Sequence, residues 1–534
     1  MRAAQDRILG AARRVIITTY GVAATLLGTS AANAQQNLSF EAGDNSAAPQ
    51  GWSAQRIDEV ADIGEIAVDG AVAAAGARSL RITQRRDDDF VRVGQALPLA
   101  VSGRPTDGPR RIRLAAAVRA PARGSEAALW LRIAGTKGVL FVDSRGDGRE
   151  PRLADVAIER SAAGSDDASA GWVRRELELP LPDDAQEITF GAVLRGVGTA
   201  WFDDFAISVV PAGGAAPSAA AVRYLDAALG VMELHSLNRT AVDWAALRRV
   251  TLEQARGAVT EADAYPALRY ALRELGDRHS YLLAPGPAAA LLAAPVSNAR
   301  TGRAAVEPVA QIVSERFAYL AVPGFAGGTP LDQAQFADAL QSGIRALDLS
   351  TTCGWILDLR LNTGGNLWPM LAGLGPLLGE GELAASVYPD ESRRAIWYRQ
   401  GRAGFGDYVQ LRVAAPHSLH DATAPLAVLL GARTASSAEV LVAAVRGRAG
   451  TRTFGAPTRG LSAGNRTFEL ADRAALVLTV AATSDRTGRI DLGPIDPDEP
   501  VDARDGSAAV AAAIAWLQTQ APCRSPVRAS DATP

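Results

Sequence analysis

Between residues 37 and 210 the apolar positions come in short runs broken by polar ones. Leu80-Arg81-Ile82, Ile112-Arg113-Leu114 and Leu177-Glu178-Leu179 alternate, and Leu129-Trp130-Leu131 is apolar throughout. Alternation with a period of two marks strands with one buried face. Gly, Pro and Asp separate the runs, so this region predicts many short strands without helices, the pattern of a β-sandwich. Residues 211–221 are rich in Pro, Gly and Ala and read as a linker. The period then changes. Val222, Leu225, Leu229 and Met232 recur at helical spacing, and Thr240 with Asp243 predicts a capping-box start for a helix through Trp244, Leu247 and Val250. Tyr265, Leu268, Leu272 and Leu275 mark a third helix that Gly276 closes.

Residues 285–305, rich in Ala, Pro and Gly, predict a mobile loop. Strands and helices alternate beyond it: strand 318–322, helix 332–347, strand 355–360, helix 371–378, strand 426–430, a helix carrying Val440, Leu441, Ala444 and Val445, strand 476–482 and helix 508–518. Such alternation predicts an α/β layer fold, whose sites gather where strands end and helices begin. The chain therefore reads as a multidomain α+β protein.

The 534 residues are 48% hydrophobic and 21% charged, enough for two or three domains and a large core. A net charge of −3 gives no sign of a nucleic-acid partner. Arg7, Arg13 and Arg14 precede an apolar run at 15–27, and Ala32-Asn33-Ala34 offers a small-residue cleavage site. Residues 1–34 thus predict a signal peptide cleaved after Ala34, and a periplasmic or secreted protein. The run is short for a retained anchor, and no later segment is long and apolar enough to span a bilayer. Cys353 and Cys523 would meet an oxidising compartment, as a disulfide or as two buried thiols. No Cys or His cluster has zinc spacing, so neither metal nor cofactor is expected.

Two strand-to-helix turns carry candidate chemistry. Thr434-Ala435-Ser436-Ser437-Ala438-Glu439 puts hydroxyls at a helix N-terminus, where free N–H groups and the helix dipole collect. A hydroxyl there is a cap or a nucleophile. Thr363-Gly364-Gly365 lets backbone approach a ligand closely. With the turns side by side, the N–H groups of Gly364 or Gly365 and of Ser437 would make an oxyanion hole for a carbonyl attacked by Ser436.

Asp358-Leu359-Arg360-Leu361-Asn362-Thr363-Gly364-Gly365 resembles the D-L-R-x-N-x-G-G stretch of the tail-specific (C-terminal processing) protease family. Thr434–Val440 resembles its nucleophile turn, Gly455-Ala456-Pro457-Thr458-Arg459-Gly460 its G-E-P-T-x-G stretch, and Asp485-Arg486-Thr487-Gly488 with Pro497-Asp498 its C-terminal end. The resemblance covers roughly residues 220–505 in the family's order. It implies a crotonase- or ClpP-like α/β core over 286–534, behind a helical subdomain at 222–285, and serine peptidase activity with Ser436 as nucleophile. Glu439 is expected to be structural, an acid suited to the helix dipole. The family's dyad lysine follows the P-T-x-G stretch. Here Leu461 stands there, the one lysine is Lys137, and arginine does not release its proton.

The tricorn-core-like branch of the family uses an upstream histidine instead, and in this chain no PDZ-like segment is expected between that histidine and the core. Asp277-Arg278-His279-Ser280 resembles its G-D-x-H-[ST] motif and implies His279 as general base, with Asp491 in the place of the orienting carboxylate. His235, His417 and His420 lack that context. Asn37–Glu41, Gly51-Trp52 and 200–205 resemble a galactose-binding-like jelly roll over 35–210. Trp52 and Trp201 are then core anchors, with sugar stacking the alternative. The expectation is an exported serine peptidase acting through a Ser-His acyl-enzyme on a peptide or protein, with carbohydrate or cell-envelope contact open to the sandwich. Its alternative is a non-catalytic carrier of lipophilic or carbohydrate ligands.

Overall fold

The computed structural model describes residues 37–42, 49–55, 64–85, 90–99, 108–119, 126–143, 171–292, 307–325, 329–502 and 507–524. The expected signal peptide lies outside them. The chain divides into two compact units. The first holds Met1–Leu234, Asn238–Ala289 and Thr467–Leu478; the second holds His235–Leu237, Ala290–Arg466 and Thr479–Pro534.

The first unit is built on two five-stranded antiparallel sheets, numbered here along the chain. One runs β1 (Ser53–Gln55), β4 (Phe90–Pro98), β9 (Ala185–Arg195), β6 (Glu126–Gly135), β7 (Gly138–Asp143); the other runs β2 (Gly64–Asp69), β3 (Ser79–Gln84), β10 (Gly198–Pro211), β5 (Arg110–Arg119), β8 (Val173–Leu181). Phe190 of one sheet and Phe205 of the other meet with ring centroids 6.4 Å apart. Trp52 packs 5.0 Å from Phe205 and 5.1 Å from Phe40, and it is 6% exposed. It is a core anchor, not a sugar platform. Trp201 is half-buried; its indole N–H donates to Asp69 at 2.9 Å and the Arg119 guanidinium lies over its ring.

The helices α1 (Ala219–His235), α2 (Trp244–Gln254) and α3 (Tyr265–Glu274) follow. Asp243 alone caps α2, accepting the Ala246 N–H, because Thr240 is used in a preceding 3₁₀ turn. As the spacing predicts, Tyr265, Leu268 and Leu272 are buried on α3 and Gly276, at φ 72°, ends it. These helices and strand β11 (Tyr281–Leu283) group with the sheets instead of forming a body of their own, and β11 pairs antiparallel with Ala475–Val477. Helix α4 (Pro285–Leu292) stands where the expected loop begins, since proline suits a first turn and Ala-Ala-Ala-Leu-Leu has strong helix propensity. The rest of that stretch, 293–306, is outside the described residues.

The second unit centres on a sheet ordered β12 (Val309–Val313), β13 (Phe317–Ala321), β14 (Gly354–Asp358), β19 (Leu426–Leu430), β20 (Thr451–Gly455), β23 (Glu499–Pro500). All pairs are parallel except β12 with β13. The crossovers are helices α5 (Pro330–Leu347), α6 (Leu367–Leu378) and α7 (Ser437–Val445). Every residue of β14 and β19 is buried, as a parallel strand covered on both faces requires. Trp355, Leu357, Leu426, Val428 and Leu430 point to the α5–α7 side, while Ile356, Ala427 and Leu429 meet helix α8 (Ala508–Thr519). A second, antiparallel sheet strings β15 (Gly381–Val387), β16 (Arg393–Arg399), β17 (Arg402–Phe405) and β18 (Tyr408–Arg412) together, with Ala385–Val387 paired to residues 482–484. β21 (Gly464–Glu469) and β22 (Ala475–Ser484) complete the strands. Cys353 and Cys523 form a disulfide with Cα atoms 5.1 Å apart, which resolves the choice left open between a bridge and two thiols.

Candidate active site

β14 and β19 are adjacent parallel strands, so their C-terminal ends lie on one edge and the turns after them are neighbours. The turn after β14 runs through Asn362, Gly364 and Gly365 to Asn366, whose side chain caps α6. The turn after β19 runs through Thr434 and Ser436 into α7. Asn362 ties the two: its backbone C=O accepts the Ala435 N–H at 3.1 Å, and its side-chain oxygen accepts the Gly364 N–H at 2.9 Å. Thr434 O–H donates to Leu359 O at 2.9 Å, and Ser437 O–H donates to Gly365 O. A Cβ on Gly364 would fall 2.6 Å from Ala435 O, 2.8 Å from Ser436 Cβ and 3.0 Å from Ser437 N. Only glycine permits that approach, and Gly364 is at φ 90°.

Ser436 itself has φ 56° and ψ −122°, a backbone region that a residue with a Cβ enters only when its surroundings force it. The residue opens α7, so its side chain stands at the positive end of the helix. Gly364 spends its N–H on Asn362. The N–H groups of Gly365 and Ser437 take no acceptor among the described residues. Of the two glycines that were alternatives as donors, Gly364 thus works on the turn itself.

Glu439 is fully buried and does far more than complement a dipole. Its carboxylate accepts the N–H of Ser436 (2.8 Å), Gly460 (2.8 Å) and Leu461 (2.7 Å) and the hydroxyl of Thr458 (2.5 Å). Burial pushes its pKa above the ordinary value, against the pull of those donors. The spacing Ser436 to Glu439, three residues, was the sequence signal for this role. Leu461 thus reaches the serine turn by its backbone. At the end of β14, Asp358 holds Arg360 in a two-point pair and accepts the Tyr319 hydroxyl at 2.6 Å; burial and that bond raise the tyrosine to about 12.

The other candidates are placed as follows. Asp491 spends one carboxylate oxygen on Arg446 and the other on Arg489 (3.0 Å), so both oxygens of the expected orienting carboxylate are on arginines. His417 Nε2 and His420 Nδ1 lie 2.8 Å and 3.0 Å from one Asp348 oxygen at the C-terminus of α5. His279 belongs to the first unit. There Asp277 Oδ1 accepts the N–H of His279 (2.9 Å) and of Ser280 (2.7 Å), and Asp277 Oδ2 accepts the Ser280 hydroxyl at 2.6 Å. Among the described residues no group of three His, Cys, Asp or Glu side chains is arranged to hold a metal ion.

Residues 316–501 match the family described as Peptidase family S41, and this stretch of the chain is an S41 peptidase domain. Over 330 residues the chain is 27% identical to the nisin-resistance protein of Lactococcus lactis subsp. lactis, an alignment that covers 62% of this chain and 95% of that protein. Among solved structures it is similar to a lipoprotein from Streptococcus agalactiae, at 22% identity and a TM-score of 0.45 over 56% of this chain and 97% of the other. It is also similar to the photosystem II D1 C-terminal processing protease, at 15% identity and a TM-score of 0.37 over 55% of this chain and 96% of the other.

Proposed function

We propose that the chain is a serine-type peptidase in which Ser436 attacks the scissile carbonyl and His279 takes its proton. The N–H groups of Gly365 and Ser437 meet the oxyanion that forms. Collapse of the tetrahedral intermediate breaks the C–N bond, and the imidazolium returns its proton to the leaving amine. Water, deprotonated by the same histidine, then releases the acyl group from Ser436. The observation that carries this reading is the contact between the two turns, with Ser436 on a left-handed backbone beside two open N–H donors. His279 is supported by its Asp-Arg-His-Ser context and by the leucine at position 461.

A leader at residues 1–34 would export the enzyme, so its substrates would be peptides or proteins in the cell envelope or outside the cell. Among the described residues no helix is long and apolar enough to cross a membrane.

A fluorophosphonate probe tests the assignment. The expected result is one phosphonylated residue, Ser436, with labelling abolished in Ser436→Ala and slowed in His279→Ala. Normal labelling of Ser436→Ala would overturn the nucleophile. A wild-type chain that resists the probe altogether would favour a non-catalytic ligand carrier on the same fold.

A further inference from the structure

Two loops of the β-sheet region carry polar groups with no part in the chemistry above. Asp184, in the turn between β8 and β9, holds Arg273 of α3 at two points, with both N···O distances 2.8 Å. The same carboxylate accepts the Thr136 hydroxyl (2.9 Å) and the Lys137 N–H (2.8 Å) from the loop between β6 and β7. The Arg273 side chain is 1% exposed, and its Nε–H donates to Gly138 O at 3.3 Å. A Cβ on Gly135 would come within 2.5 Å of the guanidinium, so the loop is moulded around it. Lys137, the chain's one lysine, pairs with Glu274 at 2.5 Å, and Arg278 donates to Thr136 O at 3.2 Å.

These contacts grip the last turn of α3 and the residue just before His279. Gly276 and Arg278, both at positive φ, then bend the chain, and the Asp277 carboxylate fixes the bend. A buried ion pair seldom adds net stability, because both charges lose water, but it does specify one geometry. Here the geometry specified is that of the turn carrying His279.

We infer that the β-sheet region is part of the catalytic apparatus, with Asp184 and Arg273 as positioning residues that set the His279 turn through α3. The inference rests on His279 being the general base. A base displaced by even an ångström loses much of its effect, so the expected loss is about 10- to 100-fold.

The test measures fluorophosphonate inactivation of the full chain, resolved into the saturating rate and the probe affinity. Asp184→Asn should lower the saturating rate about 10- to 100-fold with affinity unchanged. In a His279→Ala background the same substitution should change nothing further, because the group it positions is gone. An equal fold-loss in both backgrounds, or no loss in the native background, overturns the inference. If His279→Ala reacts at the wild-type rate, the base assignment itself has failed. Should Asp184→Asn not fold, Thr136→Val removes a single exposed donor to the same carboxylate. It should give a smaller loss confined to the His279 background, and no loss would overturn the inference.

Discussion

Replacing Ser436 by glycine should stabilise the protein relative to Ser436→Ala. Both variants lack the hydroxyl, so their difference isolates the Cβ. At φ 56° and ψ −122° the Cβ of alanine is held against the backbone as serine's is. Strain of this kind costs about 1–3 kcal/mol. Glycine removes it and pays about 0.5–1 kcal/mol in unfolded-chain entropy. The net expectation is that Ser436→Gly exceeds Ser436→Ala by about 1 kcal/mol, and at most by about 2.5 kcal/mol. In a domain of 150–250 residues, about 1 kcal/mol is a shift in melting midpoint of roughly 2–4 °C. Urea titrations followed by tryptophan fluorescence give the difference directly, provided the two variants share an m-value. A glycine variant no more stable than alanine would show that the turn is relaxed, and that its geometry is not held against a cost for the sake of the hydroxyl.

Gly364→Ala should lose at least about 100-fold in probe labelling, since the new Cβ would sit 2.6 Å from Ala435 O and push the serine turn out of register; wild-type labelling would refute the packing of the two turns. Glu439→Gln should destabilise by about 1–3 kcal/mol, because an amide nitrogen cannot accept what one carboxylate oxygen now accepts. The pH dependence has a definite sign. Burial raises the folded pKa of Glu439 above 4.5, so its contribution is fully present below 4.5 and is lost as pH rises through the folded value; that slope should vanish in the glutamine variant, as chemical denaturation across pH would reveal. Cys353→Ser with Cys523→Ser opens a loop of 170 residues and should cost about 5 kcal/mol by chain entropy alone; unchanged melting on reduction would contradict it. Leu461→Pro should weaken labelling far more than Leu461→Ala, because only proline removes the N–H that Glu439 accepts.

Much of the fold was legible because period and punctuation agreed. The strand at 426–430 falls on β19, and Gly276 closes its helix. The sequence reading passed over β15–β18. Arg393 and Arg394 open β16, and Tyr408, Val409 and Gln410 of β18 are exposed, so the meander lacks the apolar signature of a buried strand. The grouping of the helices with the sheets was equally out of reach, since it depends on Arg273 finding Asp184, 89 residues away in sequence. In the site itself, the Gly-Gly and Ser turns were readable as turns, while their contact came only from the pairing of β14 with β19. Asp491 shows the reverse case: its position in sequence suggested an orienting acid, but Arg446 and Arg489 occupy both its oxygens.

The serine turn does not depend on which side chain stands at position 461. The contacts that shape the turn are made to backbone: Glu439 holds the N–H groups of residues 436, 460 and 461, and Asn362 holds those of residues 364 and 435. Backbone donors are indifferent to the side chain they carry, proline excepted. The residue at 461 can therefore be an apolar filler while the backbone geometry at Ser436 and the N–H groups of Gly365 and Ser437 stay as they are. In the proposed mechanism proton transfer comes from another element, and His279, whose turn is held by Asp277, would supply it without asking anything further of the serine turn.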